Sequence, residues 1–226
     1  MTKGGKSVCD TNIRSDLQDT GKYMMNYDLA WGNAGNISAR TDNDSYLITA
    51  SGTFLGELQP DDLVECDLLG GTLRTDEKKP SKETPMHRAI YQSRPDIRAV
   101  LHSSPFYSTM VACSSIKIPT NWFVESMYYL EKVERVSYFH PGSLELGEAV
   151  REKAKSANIL LLENHGVLVY DMSIQEARMA LQTLEMACKM LIISQASYLN
   201  MNGIPSMTER EFLDNAAYKP KRNWNI

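Results

Sequence analysis

The sequence has few cysteines, and no two of them are close together. Cys9, Cys66, Cys113 and Cys188 are the only four in 226 residues, and none of them forms a C-x-x-C motif. This spacing argues against a zinc knuckle and against a thioredoxin-like redox motif. We therefore expect reduced, mostly buried thiols, as in a cytoplasmic protein.

Long apolar runs and an excess of positive charge are also missing. No apolar run approaches the roughly 20 residues that span a bilayer, and the polar start Met1–Lys6 lacks the apolar core of a signal peptide. The formal net charge is −4, which argues against a general nucleic-acid-binding protein but leaves room for a local basic pocket. We predict a cytoplasmic protein with no membrane and no nucleic-acid partner.

What the sequence does contain is enough apolar material, 42% of its residues, for a substantial core. It has no internal repeat and no low-complexity linker. We therefore predict one domain over residues 1–226, with flexible ends at 1–9 and 219–226. The order of elements is mixed rather than a regular βαβ alternation, which favours an α/β fold with a mostly antiparallel sheet covered by helices.

Hydrophobic periodicity and turn residues predict the individual elements. The spacing predicts helices over 10–31, 82–93, 144–156 and 173–199, and a short terminal helix near 208–211. Strands are expected at 46–49, 63–67, 97–101, 116–124, 159–162 and 167–170, with a hairpin arm at 72–74. The serines that stand where helix N-caps are expected are Ser81, Ser104, Ser143 and Ser173.

Small polar, acidic and imidazole residues collect at the ends of these elements. They are Gly35-Asn36, Ser51-Gly52, Ser81-Lys82-Glu83, and the strand-end residues His102 and His165. Each set has an ordinary structural explanation as a turn or a cap. Binding and catalytic residues are nevertheless concentrated on such loops, which raises the case for a shared site.

Taken together, these residues resemble the class II aldolase/adducin family. The matching stretches are 35–40, 47–52, 79–83 with His87, 94–96 with 99–102, and 163–166. The resemblance covers about residues 10–200 in unbroken order. It implies a three-layer α/β/α domain with a central, mostly antiparallel sheet, and a homotetramer with active sites between subunits.

The resemblance also implies a chemistry. In such aldolases a divalent cation, commonly zinc, is held by three histidines and polarises the substrate carbonyl, while an acid before a helix moves the proton. By position, the metal ligands are Glu83, His102 and His165, with Glu83 also the catalytic acid/base. The pocket for the substrate phosphate is formed by Gly35, Asn36, Ser51, Gly52, Ser81 and Lys82.

The third histidine of the family pattern is absent, because Ser104 stands two residues after His102. A neutral hydroxyl is a poor zinc ligand beside imidazole. Ser104 is also explained as the N-cap of a helix that begins at Pro105. His140 and Glu125 are two outside candidates for the missing ligand.

Two further positions depart from the aldolase pattern. Phe123 stands where the aldolases supply a tyrosine proton donor from a neighbouring subunit, and Phe cannot donate a proton; Tyr128 or Tyr129 are possible substitutes. Lys82 replaces a small hydroxyl residue and adds a cation that suits a phosphate or the carboxylate of a keto acid.

The function that the resemblance implies is a metal-dependent lyase that cleaves a small phosphorylated keto-sugar or sugar acid through an enediolate. One alternative is a decarboxylase of a β-keto sugar acid phosphate, which Lys82 favours. Another is a non-catalytic, adducin-like interaction domain, which the missing histidine and Phe123 favour. Epimerases, dehydratases and an inactivated variant also stay open.

Overall fold

The computed structural model describes residues 8–73 and 78–214, and the side chains from residue 12 onward. A seven-stranded sheet organises this part of the chain, in the order β3-β2-β1-β4-β7-β6-β5. Only β5 and β6 are parallel, and the other neighbouring pairs are antiparallel. The strands are β1 (Asn36–Arg40), β2 (Ser45–Thr49), β3 (Leu63–Asp67), β4 (Ala99–Ser103), β5 (Val133–Val136), β6 (Ile159–Leu162) and β7 (Gly166–Asp171).

Helices cover both faces of the sheet. They are α1 (Val8–Asn26), α2 (Thr84–Ser93), α3 (Phe106–Ala112), α4 (Val124–Tyr129), α5 (Leu144–Ala154), α6 (Ile174–Ala196) and α7 (Ser206–Asp214). Two short 3-10 turns, Leu55–Glu57 and Pro60–Asp62, precede β3. Among the described residues, no helix combines the length and the apolar character needed to cross a membrane.

Two hydrophobic cores lie on opposite faces of the sheet. One contains α2 and α5, and the other contains α1, α3, α4 and α6. Successive residues of β4 alternate between them, since Val100 belongs to the first core and Leu101 to the second. The strands are therefore buried on both sides, and the predicted three-layer α/β/α fold with a mostly antiparallel sheet is confirmed.

Several predicted boundaries differ from the structure. Helix α1 ends at Asn26 rather than near residue 31, because Asp28 has a positive φ of 55° that turns the chain. Residues 116–123 form no strand, and Pro119, which has no N–H for a ladder, lies in the middle of this segment. The edge strand β5 was not predicted, because its two central residues, Glu134 and Arg135, are charged and interrupt the apolar pattern of a strand.

The segment after β3 is also less regular than a hairpin. Its second arm is reduced to one bridge between Cys66 and Thr72. Arg74, which the expected arm included, lies outside the described residues, as do residues 1–7 and 219–226 of the expected flexible ends. The single domain over 1–226 accordingly stays a prediction.

The predicted helix caps are right in two cases and wrong in others. Ser143 accepts from the N–H of Leu146, and Ser173 accepts from the N–H of Glu176, as expected for N-caps. Ser81 is not a cap, because α2 begins at Thr84 and its N-cap is Glu83. The Ser81 hydroxyl instead accepts from the Glu83 N–H at 3.2 Å, which orders the turn before the helix.

A buried arginine holds the end of α2 against the end of α5. Arg94 is 1% exposed, and its guanidinium donates to both carboxylate oxygens of Asp96. A further nitrogen donates to the carbonyl oxygens of Ala154 and Ala157, both at 3.1 Å. A single side chain thus satisfies backbone groups from the last turn of α5 as well as a carboxylate.

We expect Arg94→Ala to lower the free energy of unfolding by about 3 kcal/mol or more, because it leaves a carboxylate and two carbonyls without their donor. Arg151→Ala is the control, since Arg151 makes an exposed ion pair with Glu148 and should cost about 1 kcal/mol or less. Urea unfolding followed by circular dichroism measures both values. Equal losses in the two variants would contradict the structural role given to Arg94.

Candidate active site

Strand pairing brings the candidate residues to one end of the sheet. Asn36, the first residue of β1, lies opposite His102 near the end of β4. In turn, β4 pairs with β7, which begins directly after His165. Because the strands are antiparallel, the start of β1, the end of β4 and the start of β7 meet at the same edge.

Two glycines allow this close approach. Gly35 has a φ of 99°, and a Cβ at this position would lie 2.6 Å from the carbonyl oxygen of His102. Gly166 has a φ of 149°, and its Cβ would lie 2.5 Å from the carbonyl oxygen of Ser103. Any side chain at either position would push the turn away from β4, so glycine is required here.

Glu83 reaches the same edge from the start of α2. An isolated bridge between Ala50 and Pro80 holds the preceding segment against the sheet. The Glu83 carboxylate lies between two imidazoles, with Oε2 at 3.1 Å from His102 Nε2 and Oε1 at 3.0 Å from His165 Nε2. Asn36 Nδ2 donates to Oε2 at 2.7 Å.

These contacts set the charge of the group. Burial alone would raise the pKa of Glu83, but the facing His102 imidazole, the nearby His165 imidazole and the hydrogen bond from Asn36 bring that pKa well below its ordinary value. Burial alone would lower the pKa of His102, yet the Glu83 carboxylate raises it. The structure therefore holds Glu83 as a carboxylate rather than a carboxylic acid.

The tautomer of His102 follows from its other nitrogen. Nδ1 lies 2.9 Å from the carbonyl oxygen of Val167, which can only accept, so Nδ1 carries a hydrogen and donates. In the neutral imidazole the lone pair is then on Nε2, which faces Glu83. A backbone carbonyl behind the ring is a common way to orient a metal-binding histidine.

Glu83, His102 and His165 fit a divalent cation. Their candidate ligand atoms lie within 4.8 Å of one another. Two ligands of one zinc ion, each about 2.0–2.2 Å from it in tetrahedral geometry, are about 3.4 Å apart. The buried Glu83 Oε1 receives no hydrogen bond of good geometry, although His165 is near it. Two histidines and one glutamate are a known ligand set of catalytic zinc sites.

Ser104 has a different role from either expectation. Its hydroxyl donates to the backbone carbonyl of His165 at 3.0 Å. It is not the N-cap of α3, because that helix begins at Phe106 and its N-cap is Pro105. Ser104 thus ties the end of β4 to the turn that carries His165. His140 and Glu125 do not join the ligand group among the described residues.

The predicted residues all line one cavity of about 400 Å³. Glu83, His102 and His165 lie beside the turns at 33–36, 50–53 and 81–82. Lys82 is exposed and makes no ion pair that the structure describes. The lining residues that were predicted as binding or metal-ligating are Gly35, Asn36, Ser51, Gly52, Ser81, Lys82, Glu83, His102 and His165.

A larger cavity of about 660 Å³ lies at the opposite end of the strands, beside Arg98 and Arg178. It also borders Asp16 and Asp19 on α1. Among the described residues, no group of histidine, cysteine or acidic side chains near this cavity is close enough to share a metal ion. Size alone therefore does not identify the site, and the smaller cavity is the better candidate.

Sequence reasoning missed two residues near the smaller cavity, His87 and Trp31. His87 is fully buried, and its Nε2 lies 2.7 Å from Asn36 Oδ1, although it was predicted only as a residue of the helix after Glu83. Its spacing of four residues from Glu83 was the available signal. Trp31 is 64% exposed and donates its indole N–H to the Ser104 carbonyl at 3.1 Å. No sequence pattern indicated this contact.

The expected proton donors do not line the cavity. Phe123 is the N-cap of α4, and Tyr128 and Tyr129 are buried within that helix. The hydroxyl of Tyr129 donates to Glu176 at 3.3 Å. Because the expected donor comes from a neighbouring subunit, a role for Tyr128 or Tyr129 stays a prediction.

A family model described as the Class II Aldolase and Adducin N-terminal domain matches residues 15–192. The chain is 33% identical to the 3-oxo-tetronate 4-phosphate decarboxylase of Haemophilus influenzae over 168 residues, 73% of this chain and 79% of the relative. It is 30% identical to the L-fuculose phosphate aldolase of Methanocaldococcus jannaschii over 163 residues, 72% and 86% of the two chains.

The fold has close structural counterparts as well. The crystal structure of YgbL from Escherichia coli, for which aldolase, epimerase and decarboxylase activities are named, superposes with a TM-score of 0.79. The sequence identity is 26%, and the superposition covers 89% of this chain and 98% of the other.

The geometry predicts that zinc binding depends on three side chains and not on Ser104. We expect about one Zn²⁺ per chain by isothermal titration calorimetry, and a loss of about 100-fold or more in affinity in His102→Ala and His165→Ala. Ser104→Ala, the matched control, should bind zinc within about tenfold of the unchanged chain, because it alters only the support of His165. An unchanged chain without zinc, together with a zinc-binding Ser104→His variant, would contradict the three-ligand site.

Proposed function

The chain belongs to the class II aldolase and adducin N-terminal domain family, and from this we propose that it is a lyase that breaks a carbon–carbon bond in a small phosphorylated keto-sugar or sugar acid. The observation that carries the proposal is the Glu83 carboxylate held between His102 and His165 beside three polar turns. Relatives in this family are named for an aldolase and a decarboxylase of phosphorylated substrates.

Glu83, His102 and His165 would hold a divalent cation, and we favour zinc because two of the three ligands are imidazoles. When bound, such a cation supplies Lewis acidity that polarises the substrate carbonyl. The protein contributes ligand orientation. The Val167 carbonyl fixes the His102 ring, and the Ser104 hydroxyl fixes the backbone of His165.

The polar turns form the proposed phosphate site. The turn with Ser51 and Gly52 lies beside the turn with Ser81 and Lys82, because the Ser81 N–H donates to the Thr49 carbonyl at 3.0 Å. Gly35 and Asn36 complete the lining. The N-terminal end of α2 lies at this site, and its partial positive charge favours an anion. The ammonium of Lys82 adds a full charge at the rim.

Aldol cleavage and decarboxylation leave the same kind of intermediate. In cleavage, the β-hydroxyl loses a proton, the Cα–Cβ bond breaks and an aldehyde leaves. In decarboxylation, the β-keto acid loses CO₂. In both reactions the electron pair of the broken bond passes into the carbonyl, which gives an enediolate when Cα bears a hydroxyl. A proton must later return to Cα. In cleavage the Glu83 carboxylate would take the β-hydroxyl proton and transfer it to Cα, and in decarboxylation water would supply the proton through the same group.

Decarboxylation is the second candidate, and Lys82 is the observation that favours it. This exposed cation borders the cavity and lies directly before Glu83. It suits a substrate that carries a carboxylate in addition to a phosphate. A non-catalytic interaction domain is disfavoured, because such a domain has no use for a buried carboxylate between two histidines.

Product analysis separates the two reactions. We expect the zinc-loaded chain to release an aldehyde from a ketose 1-phosphate or CO₂ from a 3-oxo sugar acid phosphate, and Glu83→Gln to lower kcat by about 10²-fold or more. Lys82→Ser should reduce CO₂ release more than aldehyde release. Equal losses would argue against a carboxylate contact, and the absence of both activities would contradict the lyase proposal.

We also propose a homotetramer in the cytoplasm. The three described free cysteines, Cys66, Cys113 and Cys188, suit a reducing compartment. Helix α6 exposes Met179, Met186 and Ile193 at intervals of seven residues. Phe106 and Met110 of the adjacent α3 are exposed as well. Exposed apolar side chains on two adjacent helices favour self-association.

Multi-angle light scattering after gel filtration tests this assembly. We expect the unchanged chain to elute as a tetramer and Met186→Asp to shift toward dimers or monomers. The aspartate would place a charge among the exposed apolar residues of α6, where it would be buried between subunits without a partner. Leu69→Asp is the control, since Leu69 is exposed in a separate turn after β3. An unchanged chain that elutes as a monomer would contradict the tetramer.

A further inference from the structure

A continuous chain of hydrogen bonds lies behind Glu83, and its members beyond Asn36 have no part in the roles described above. Glu83 Oε2 accepts from Asn36 Nδ2, and Asn36 Oδ1 lies 2.7 Å from His87 Nε2. His87 Nδ1 lies 2.7 Å from Ser38 Oγ, which is 2.8 Å from the Tyr91 hydroxyl. The four residues behind the carboxylate are all buried, and His87 and Ser38 are wholly inaccessible to solvent.

This chain of hydrogen bonds is possible because residues on one face recur at similar distances along α2 and along β1. Glu83, His87 and Tyr91 are four residues apart on one face of α2, a rise of about 6 Å for each step. Asn36 and Ser38 are two residues apart on one face of β1, a step of about 6.6 Å. The residues from the two elements therefore alternate, and Asn36, His87 and Ser38 each bridge two residues of the other element.

Each hydrogen bond in the chain has a determined direction. The Asn36 amide donates its N–H to a carboxylate, so its oxygen must be the acceptor from His87 Nε2–H. Burial lowers the pKa of His87 to about 3, so the ring is neutral and Nδ1 accepts from the Ser38 hydroxyl. The Ser38 oxygen then accepts from the Tyr91 hydroxyl.

We propose that His87 is a positioning residue, which acts through Asn36 to present an N–H donor to the Glu83 carboxylate and to hold that carboxylate toward His102 and His165. The proposal rests on the lyase function proposed above. The His87 tautomer with a hydrogen on Nε2 matches the Asn36 amide that donates to Glu83, and the Ser38 hydroxyl supports this tautomer by donating to Nδ1.

A rotated Asn36 amide shows why these hydrogen bonds matter. Without a donor at His87 Nε2, the Asn36 amide loses the partner that fixes its oxygen and is free to rotate. A rotated amide would place its oxygen against the Glu83 carboxylate, and the two acceptors would repel each other. The carboxylate would then turn away from the histidines, and the effect is large because the site is buried.

Two substitutions at His87 separate positioning from packing. His87→Gln keeps an N–H close to the position of Nε2, whereas His87→Met keeps a similar volume without a donor. We expect His87→Met to lower kcat about tenfold with little change in KM, since only the reacting geometry changes, and to weaken Zn²⁺ affinity by about 10- to 100-fold. His87→Gln should restore both values to within about threefold of the unchanged chain.

A matched pair of serines provides the control. Ser38 and Ser108 are both fully buried and both hydrogen-bonded through their hydroxyls, but Ser108 bonds to Glu185 on the other face of the sheet. Ser38→Ala and Ser108→Ala should lower the melting temperature by similar amounts. Only Ser38→Ala should reduce kcat and Zn²⁺ affinity, each by about threefold or more.

The outcomes distinguish this proposal from the proposed function. An unchanged chain with no lyase activity would contradict the function, while the Zn²⁺ affinities of the His87 variants would still decide the positioning role. The proposal is overturned if His87→Met has the kcat and Zn²⁺ affinity of the unchanged chain. It is also overturned if His87→Gln and His87→Met lose affinity equally, because that result indicates a packing role alone.

Discussion

The pairing register between β1 and β4 is the constraint on which the site depends. It places Asn36 opposite His102 and, through β4 and β7, fixes the position of the turn that holds His165. Side chains alternate between the two faces of a sheet, so a slip of one residue would turn His102 into the opposite core. The apolar residues that alternate with it, such as Leu101, hold the register because they would have to leave a fully buried layer.

The register also makes a buried carboxylate tolerable. Moving an ionised group out of water is costly unless hydrogen bonds and opposite charge compensate. Glu83 receives this compensation from groups on three different elements, β1, β4 and the turn before β7. None of these partners is local in sequence, and the ionised form of Glu83 is therefore a property of the completed sheet.

Much of this arrangement could be predicted from the sequence, for reasons that differ between residues. The strands that carry His102 and precede His165 are short buried runs with a clear pattern, and the polar turns stand at their ends. The direction of the Ser104 hydroxyl could not be predicted, because a serine before a proline is equally suited to a helix cap. The same holds for His87, since one-dimensional spacing shows a shared helix face but not the strand that faces it. The edge strand β5 was missed because its charged residues resemble a loop.

The helix that carries Glu83 is held at both of its ends, with consequences for how the protein opens. At the start of α2 the carboxylate binds the sheet, in the middle His87 and Tyr91 bond to β1, and at the end Arg94 bonds to the last turn of α5. A helix anchored in this way cannot fray or slide independently of the sheet. Its amide hydrogens should then exchange with solvent only when the sheet to which α2 is anchored opens as well.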